Sequence, residues 1–298
     1  MVKDRRRILL AVDGSEQAFE AVRYVSRLLS PNRMEVVLFH VITKVPESFW
    51  DIEKAPTLRQ KTVDTDAWKS QQKKNIQEFM EKARCLFLDQ NVPEDAVGIK
   101  IRERKVGIAR DIVHESQKHY DGVVVGRWGM SMLKDFLWGS IANKLIGRLI
   151  NIPLCVVGGT SRIGKILMAI DASEGAMRAI NYIGNMVDTM HWEVTLFHAI
   201  REFDAEQLER AEKSMEPVIE TAFIRLEEAG FNRSQISIKT VNGVHSRAAA
   251  IITEALNGGY GTIVVGRRGL TDVEDFVMGR VSNKVIHMAR EMAVWVVT

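Results

Sequence analysis

Ile8-Leu9-Leu10-Ala11-Val12-Asp13-Gly14-Ser15 returns 158 residues later as Ile166-Leu167-Met168-Ala169-Ile170-Asp171-Ala172-Ser173. The same shift carries Leu38-Phe39-His40 onto Leu196-Phe197-His198. Further along, at a shift of 140, Gly126-Arg127-Trp128-Gly129 returns as Gly266-Arg267-Arg268-Gly269, and Asn143-Lys144 as Asn283-Lys284. A solenoid repeats every ~20–50 residues. A period this long makes each copy a whole domain, which suits 298 residues divided into units of about 150.

Within each copy, short apolar runs alternate with amphipathic stretches. Residues 8–12 are continuously apolar, as in a strand covered on both faces of a parallel sheet. Ser15 then caps a helix whose Ala18, Val22, Val25, Leu28 and Leu29 recur at helical spacing, closed by Pro31-Asn32. Strands follow at 36–41, 97–101 (nearer an edge), 122–126 and 153–157, with helices at 67–89, 108–119 and 141–149. The second copy reads as strands 166–170, 193–199, 236–240, 261–265 and 293–297, with helices 173–187, 205–229, 246–256 and 280–290. Strict β/α alternation predicts two tandem Rossmann-like α/β domains, 1–160 and 161–298, each a five-stranded parallel sheet with helices on both faces. Two apolar edge segments, Leu154–Val157 and Val294–Val297, need covering, and their pairing would make the chain an intrachain pseudo-dimer. A further homodimer of chains is compatible with this. Falling from 158 to 139, the shift leaves half one 19 extra residues within 43–66, including Pro46, Phe49, Trp50 and Pro56. They are expected to form a loop serving as a lid or as a packing surface.

Composition narrows the function. A net charge of +3 spread over the chain lacks the basic footprint expected of a nucleic-acid or anionic-membrane binder. The apolar run after Arg5-Arg6-Arg7 stops at Asp13, too short for a secretion signal, and no stretch approaches the ~20 apolar residues of a membrane span. Cys85 and Cys155 read as buried small hydrophobes in a reducing compartment, and a cytoplasmic location is expected.

The chemistry concentrates after the fourth strand. Gly126-Arg127-Trp128-Gly129, nine residues, then Gly139-Ser140 lead into a helix. Glycines let a backbone approach phosphates closely, and the amides opening a helix favour an anion. The same stretch also reads as a glycine-containing connection with a plain cap. Asp13 ends the first strand at the same sheet edge. Its carboxylate suits a base or ribose hydroxyl, and equally a helix cap.

These residues resemble the universal stress protein family over both halves: Val12-Asp13-Gly14-Ser15, Leu38-Phe39-His40-Val41, and Gly-x2-Gly-x9-Gly-Ser at 126–140, which matches that family's ATP-binding signature. The resemblance implies a stress-related regulatory protein that binds ATP, or AMP, with Mg2+ accompanying ATP. Asp13 and the Val41 backbone would hold adenine or ribose. Gly126, Gly129, Gly139 and Ser140 would hold phosphates, with Ile141 offering an amide. A second site over Asp171, Gly266, Gly269, Gly279 and Arg280 is degenerate, because Arg280 replaces the serine and Ala172 replaces Gly14. The expected partners are an adenine nucleotide and a protein. The alternative is a scaffold that binds no nucleotide.

Other signals weigh less. Gly159–Lys165 nearly spells a P-loop, but it leads into a strand and reads as the interdomain linker. His40 and His198 lack further ligands at metal spacing and read as strand-end histidines. Trp128 and Trp138 read as packing residues. Neither a nucleophile elbow nor a catalytic base stands out, so hydrolysis would at most be slow.

Overall fold

Arg6–Ala11 forms the first strand, β1, because its side chains alternate between two dry faces. Ile8 and Leu10 enter one apolar layer, Leu9 and Ala11 the other. The computed structural model describes residues 5–42, 59–127, 140–159, 164–201, 204–268 and 278–298, with backbone alone for 59–69 and 140. After β1 the Ser15 hydroxyl accepts from the Ala18 amide at 3.1 Å and opens α1 (Glu16–Val25), whose Ala18, Val22 and Val25 are buried. The expected extension to Leu29 is a run of turns, although Leu28 and Leu29 stay in the core.

Half one continues through β2 (Met34–Ile42), α2 (Arg59–Asp89), β3 (Val97–Glu103), α3 (Ile108–Ser116), β4 (Gly122–Gly126), α4 (Ser140–Ile146) and β5 (Leu154–Val157). Half two comprises β6 (Lys165–Ala169), α5 (Glu174–Met186), β7 (Glu193–Ala199), α6 (Ala205–Glu228), β8 (Ile236–Val241), α7 (Arg247–Asn257), β9 (Thr262–Gly266), α8 (Arg280–Met288) and β10 (Ala293–Val297). The strands form one ten-stranded sheet in the order β3-β2-β1-β4-β5-β10-β9-β6-β7-β8. Within each half every pairing is parallel. The halves meet where β10 runs antiparallel to β5, with Trp295 opposite Cys155. The two expected edge segments therefore cover each other.

Several boundaries move. α2 begins at Arg59, so residues 59–66 of the expected insertion loop are helical; Pro46, Phe49, Trp50 and Pro56 lie outside the described residues. α3 ends at Ser116, ahead of His119, whose φ of 58° is left-handed and incompatible with continued helix. α4 ends at Ile146 and α8 at Met288, each short of expectation. Cys155 is buried as expected, whereas Cys85 is exposed on α2. No described helix is long and apolar enough to cross a membrane. The basic run at the start is dispersed into ion pairs, Arg5 with Asp95, Arg6 with Asp121 and Arg7 with Glu35.

One charged strut ties α3 to edge strand β3. Glu115 is 1% exposed and receives Lys100 at 3.0 Å and Lys118 at 2.7 Å, with the Tyr120 hydroxyl donating to it at 3.2 Å. Burial works to raise the Glu115 pKa, but the bonds from Lys118 and Lys100 overcome it and hold the carboxyl at about 2, below its ordinary 4.5. The strut is duplicated in half two as Lys239–Glu254 at 2.6 Å. A folded pKa below the unfolded one gives stability that is present above pH ~4.5 and lost as pH falls toward 2, worth about 3 kcal/mol. Glu115→Gln is expected to lose about 2–3 kcal/mol at pH 7 and to flatten the stability profile between pH 5 and 2, read from urea unfolding at each pH. An unchanged pH profile would contradict this role.

Candidate functional site

The carboxyl ends of β2, β1 and β4 lie side by side. Ala11 pairs with Phe39 of β2 and with Val125 of β4, so Asp13, Val41 and Gly126, each one or two residues further on, reach one edge of the sheet. The strand order reverses between β1 and β4: the chain runs outward through β2 and β3, then returns to the other side of β1. Open α/β sheets have their ligand crevice at such a switch point. Asp171 and Gly266 occupy the equivalent point beside β6 and β9.

The turn after β1 is built from its own side chains. One Asp13 oxygen accepts from the Ser15 amide at 3.0 Å and from the Ser15 hydroxyl at 2.6 Å, while that hydroxyl caps α1. Asp13 thus orients the capping serine, and the carboxylate sits half-buried at the positive end of the helix. Half two repeats the arrangement with Asp171, Ser173 and the Ala176 amide. The intervening residue differs. Gly14 adopts a left-handed φ of 88°, whereas Ala172 does not have a positive φ.

Two histidines anchor these turns. His40 Nδ1 lies 2.8 Å from the Val12 carbonyl, and His198 Nδ1 lies 2.9 Å from that of Ile170. A carbonyl only accepts, so Nδ1 carries the proton. The Val12 amide also donates to Phe39 at 2.9 Å, so both backbone groups preceding Asp13 are pinned to β2. Burial pushes the His40 pKa below the usual value, against the Val12 carbonyl and nearby Asp13, and keeps the ring neutral at pH 7. The histidines are strand-end anchors, in line with their sequence reading.

Gly126 has a packing reason of its own. A Cβ there would lie 3.1 Å from the Gln17 carbonyl oxygen in the first turn of α1, and at Gly266 it would lie 2.8 Å from the Gly175 carbonyl carbon. The last residue of β4 therefore touches the helix that Asp13 and Ser15 open. Gly129, Gly139, Gly269, Trp128 and Trp138 lie outside the described residues. Ser140 begins α4, and Ile141 packs against the apolar layer. In half two Gly279 caps α8 without a side-chain bond, its amide donating to the Arg267 carbonyl at 2.8 Å, and Arg280 is exposed at the first helical position.

The rim differs between halves. An open depression lined by Arg102, Glu103, Arg104 and Lys105 lies at the carboxyl end of β3, and the Arg104 amide bonds to the Ile42 carbonyl next to Val41. Half two has Val241-Asn242-Gly243-Val244 at the equivalent positions. Among the described residues no group of three or more His, Cys, Asp or Glu side chains could hold a metal ion.

Arg127 was not among the residues singled out by sequence. It is fully buried, and its Nη1 donates across the seam to the Ile286 carbonyl, in the last turn of α8, at 2.7 Å. Arg267 reciprocates, donating to the carbonyls of Ile146 and Leu149 at the end of α4. Each cation satisfies carbonyls at the negative end of the other half's helix. Burial lowers the Arg127 pKa to about 10, so it stays charged at neutral pH. The signal was a basic residue directly after a buried strand, unchanged in both copies. Arg127→Met and Arg267→Met are each expected to cost about 1–3 kcal/mol in urea unfolding, by similar amounts, since the bonds are related by the duplication. A loss confined to one of them would contradict the reciprocal role.

Comparison with known proteins follows the same lines. The model of the universal stress protein family matches residues 4–158 and again 162–297. A universal stress protein of Mycolicibacterium smegmatis is 24% identical over 291 residues, covering 95% of this chain and 94% of its own. The crystal structure of a universal stress protein from Archaeoglobus fulgidus shares the fold with a TM-score of 0.66 at 19% identity, covering 98% of both chains. A universal stress protein solved in complex with cAMP is 21% identical and covers 46% of this chain and 98% of its own, with a TM-score of 0.35. Two consecutive matches spanning nearly the whole length, on a duplicated α/β sheet, make this chain a tandem member of the universal stress protein family.

Proposed function

We propose that this protein is a stress-related regulator that binds ATP or another adenine nucleotide in half one, with half two reduced to a degenerate site. The observation that carries the reading is the position of Asp13 and Gly126 on either side of the switch point between β1 and β4, where such sheets take their ligands. Around it, Asp13 would accept from base or ribose hydroxyls and the Val41 backbone would meet the base. Gly126, Gly129, Gly139, Ser140 and the Ile141 amide would receive the phosphates, with Mg2+ on ATP. The rim Arg102, Glu103, Arg104 and Lys105 is net basic near this crevice, whereas the matching positions 241–244 of half two are uncharged and its Arg247 is bonded to the Ala199 carbonyl. Arg280 places a cation at the positive end of α8 where half one has Ser140, which favours neither the helix nor a close phosphate fit. The domains we assign are 1–160, carrying the working loop, and 161–298. Nucleotide occupancy would alter how the glycine loop meets a protein partner, in the cytoplasm.

A scaffold reading draws on one observation: Asp13 and Gly126 each have a structural task, and both tasks recur in half two. The experiment separates the two. Protein purified without added nucleotide is denatured and the supernatant assayed for ATP and AMP. The intact chain is also titrated with ATP, AMP and cAMP by calorimetry. Bound adenylate, or saturable binding at one site per chain, is expected. Gly129→Ala with Ser140→Ala is expected to weaken ATP binding at least ~10-fold while shifting Tm by no more than a few degrees. Gly279→Ala is expected to leave affinity unchanged. Failure to bind any adenylate at millimolar concentration would favour the scaffold, and two equal sites would refute the asymmetry.

A further inference from the structure

The seam between the halves carries two kinds of contact. The backbone pairing of β5 with β10 and the bonds of Arg127 to Ile286 and Arg267 to Ile146 repeat themselves under the duplication. A half paired with a copy of itself would make them equally well. The residues at the centre of the seam do not repeat. The shift of 140 carries Cys155 onto Trp295 and Gly122 onto Thr262, while the shift of 158 carries Tyr24 onto Tyr182. Because Cys155 and Trp295 are register partners, the internal twofold passes through that pair.

Trp295, Cys155, Tyr24 and Thr262 are fully buried there, and Tyr182 is half-buried beside them. The Trp295 indole donates to the Tyr24 hydroxyl at 2.9 Å, and that hydroxyl lies 3.1 Å from Thr262 Oγ1. On the other side Tyr182 packs on the Trp295 ring with centroids 5.4 Å apart, in space that Gly122 leaves open. A Cβ at position 122 would lie 2.5 Å from the Tyr182 oxygen and 3.2 Å from the indole. Gly122 offers no hydroxyl where Thr262 does, and among the described residues none bonds the Tyr182 hydroxyl. One tyrosine is satisfied, and its counterpart gives up its bond to make room for the indole.

We infer that the β5 edge of half one is built to receive half two and to reject a second copy of itself, the selectors being Trp295 opposite Cys155 and, on the two sides of that pair, Thr262 beside Tyr24 but Gly122 beside Tyr182. Half one paired with itself would set Cys155 against Cys155, leave the place of the indole empty and strand both Tyr24 hydroxyls. Half two paired with itself would force two indoles onto the axis and a threonine into the space Gly122 keeps clear. The first is underpacked and the second overpacked. The tandem chain closes on itself because each homotypic pairing is excluded by packing.

Three full-length variants test this. Gly122→Thr with Cys155→Trp makes half one resemble half two. Thr262→Gly with Trp295→Cys does the reverse. All four substitutions together move the indole and threonine to the opposite side of the axis, where Tyr182 gains the partners Tyr24 has now. Each pair is expected to lower Tm by roughly 5–10 °C. The fourfold exchange is expected to recover at least half of the summed loss, because it restores complementarity. A fourfold variant that loses the sum of the two pairs overturns the inference, as does a pair that loses nothing. If a pair fails to fold, a folded fourfold variant supports the inference and an unfolded one overturns it.

Discussion

The antiparallel pairing of β5 with β10 is the constraint from which the rest of the molecule follows. Leu154–Val157 and Ala293–Val297 are apolar throughout and almost wholly buried. Either strand left at a sheet edge would present unpaired backbone groups flanked by dry side chains, a template for aggregation. Joining them converts two five-stranded sheets into one of ten strands and removes both liabilities. The sheet then ends at β3 and β8, where apolar residues alternate with polar or charged ones and solvent can satisfy the backbone. The same seam buries Arg127 and Arg267, whose bonds fix the residue following β4 and β9 against the far helix of the opposite half. Each candidate crevice therefore opens from a strand whose next residue is anchored across the seam.

Duplication separates what the fold requires from what function has varied. Both halves keep the aspartate that orients a capping serine, the histidine bonded to the strand-end carbonyl, the Lys–Glu strut and the glycine at the end of the fourth strand. Each has a structural reason that applies twice. Beside the 19 extra residues within 43–66, two sets of differences stand out. At the carboxyl ends of the strands, Gly14, Ser140 and the basic stretch at 102–105 give way to Ala172, Arg280 and Val241–Val244. At the seam's axis Trp295 stands opposite Cys155, and Thr262 on one side of that pair corresponds to Gly122 on the other. The first set lies at the proposed nucleotide crevice and the second at the seam between the halves.

The repeat, the β/α alternation and the pairing of the two end strands were readable in the chain because apolar periodicity reports local burial directly. The turn Asp13-Gly14-Ser15 offers two uses in its sequence, and the capping one is present in the fold. Helix ends were less readable. α2 reaches back to Arg59 because residues 59–66 join the helical run, though no apolar stripe there signals it. The seam's specific chemistry was hidden for another reason. Arg127 sits inside a glycine motif whose pattern suggests phosphate, and only the tertiary fold brings Ile286 opposite its guanidinium. Trp295 and Cys155 stand 140 residues apart, and their complementarity exists only once the sheet has closed.

The proposal that half one alone holds a nucleotide is tested most directly by amide hydrogen exchange of the intact protein with and without ATP. With ATP, added protection is expected at residues 12–16, 41–42 and 126–127 and along α4, and none at the equivalent positions 170–174, 199–200, 266–267 and α8. Protection that rises equally in both halves, or in neither, would contradict a functional crevice confined to half one.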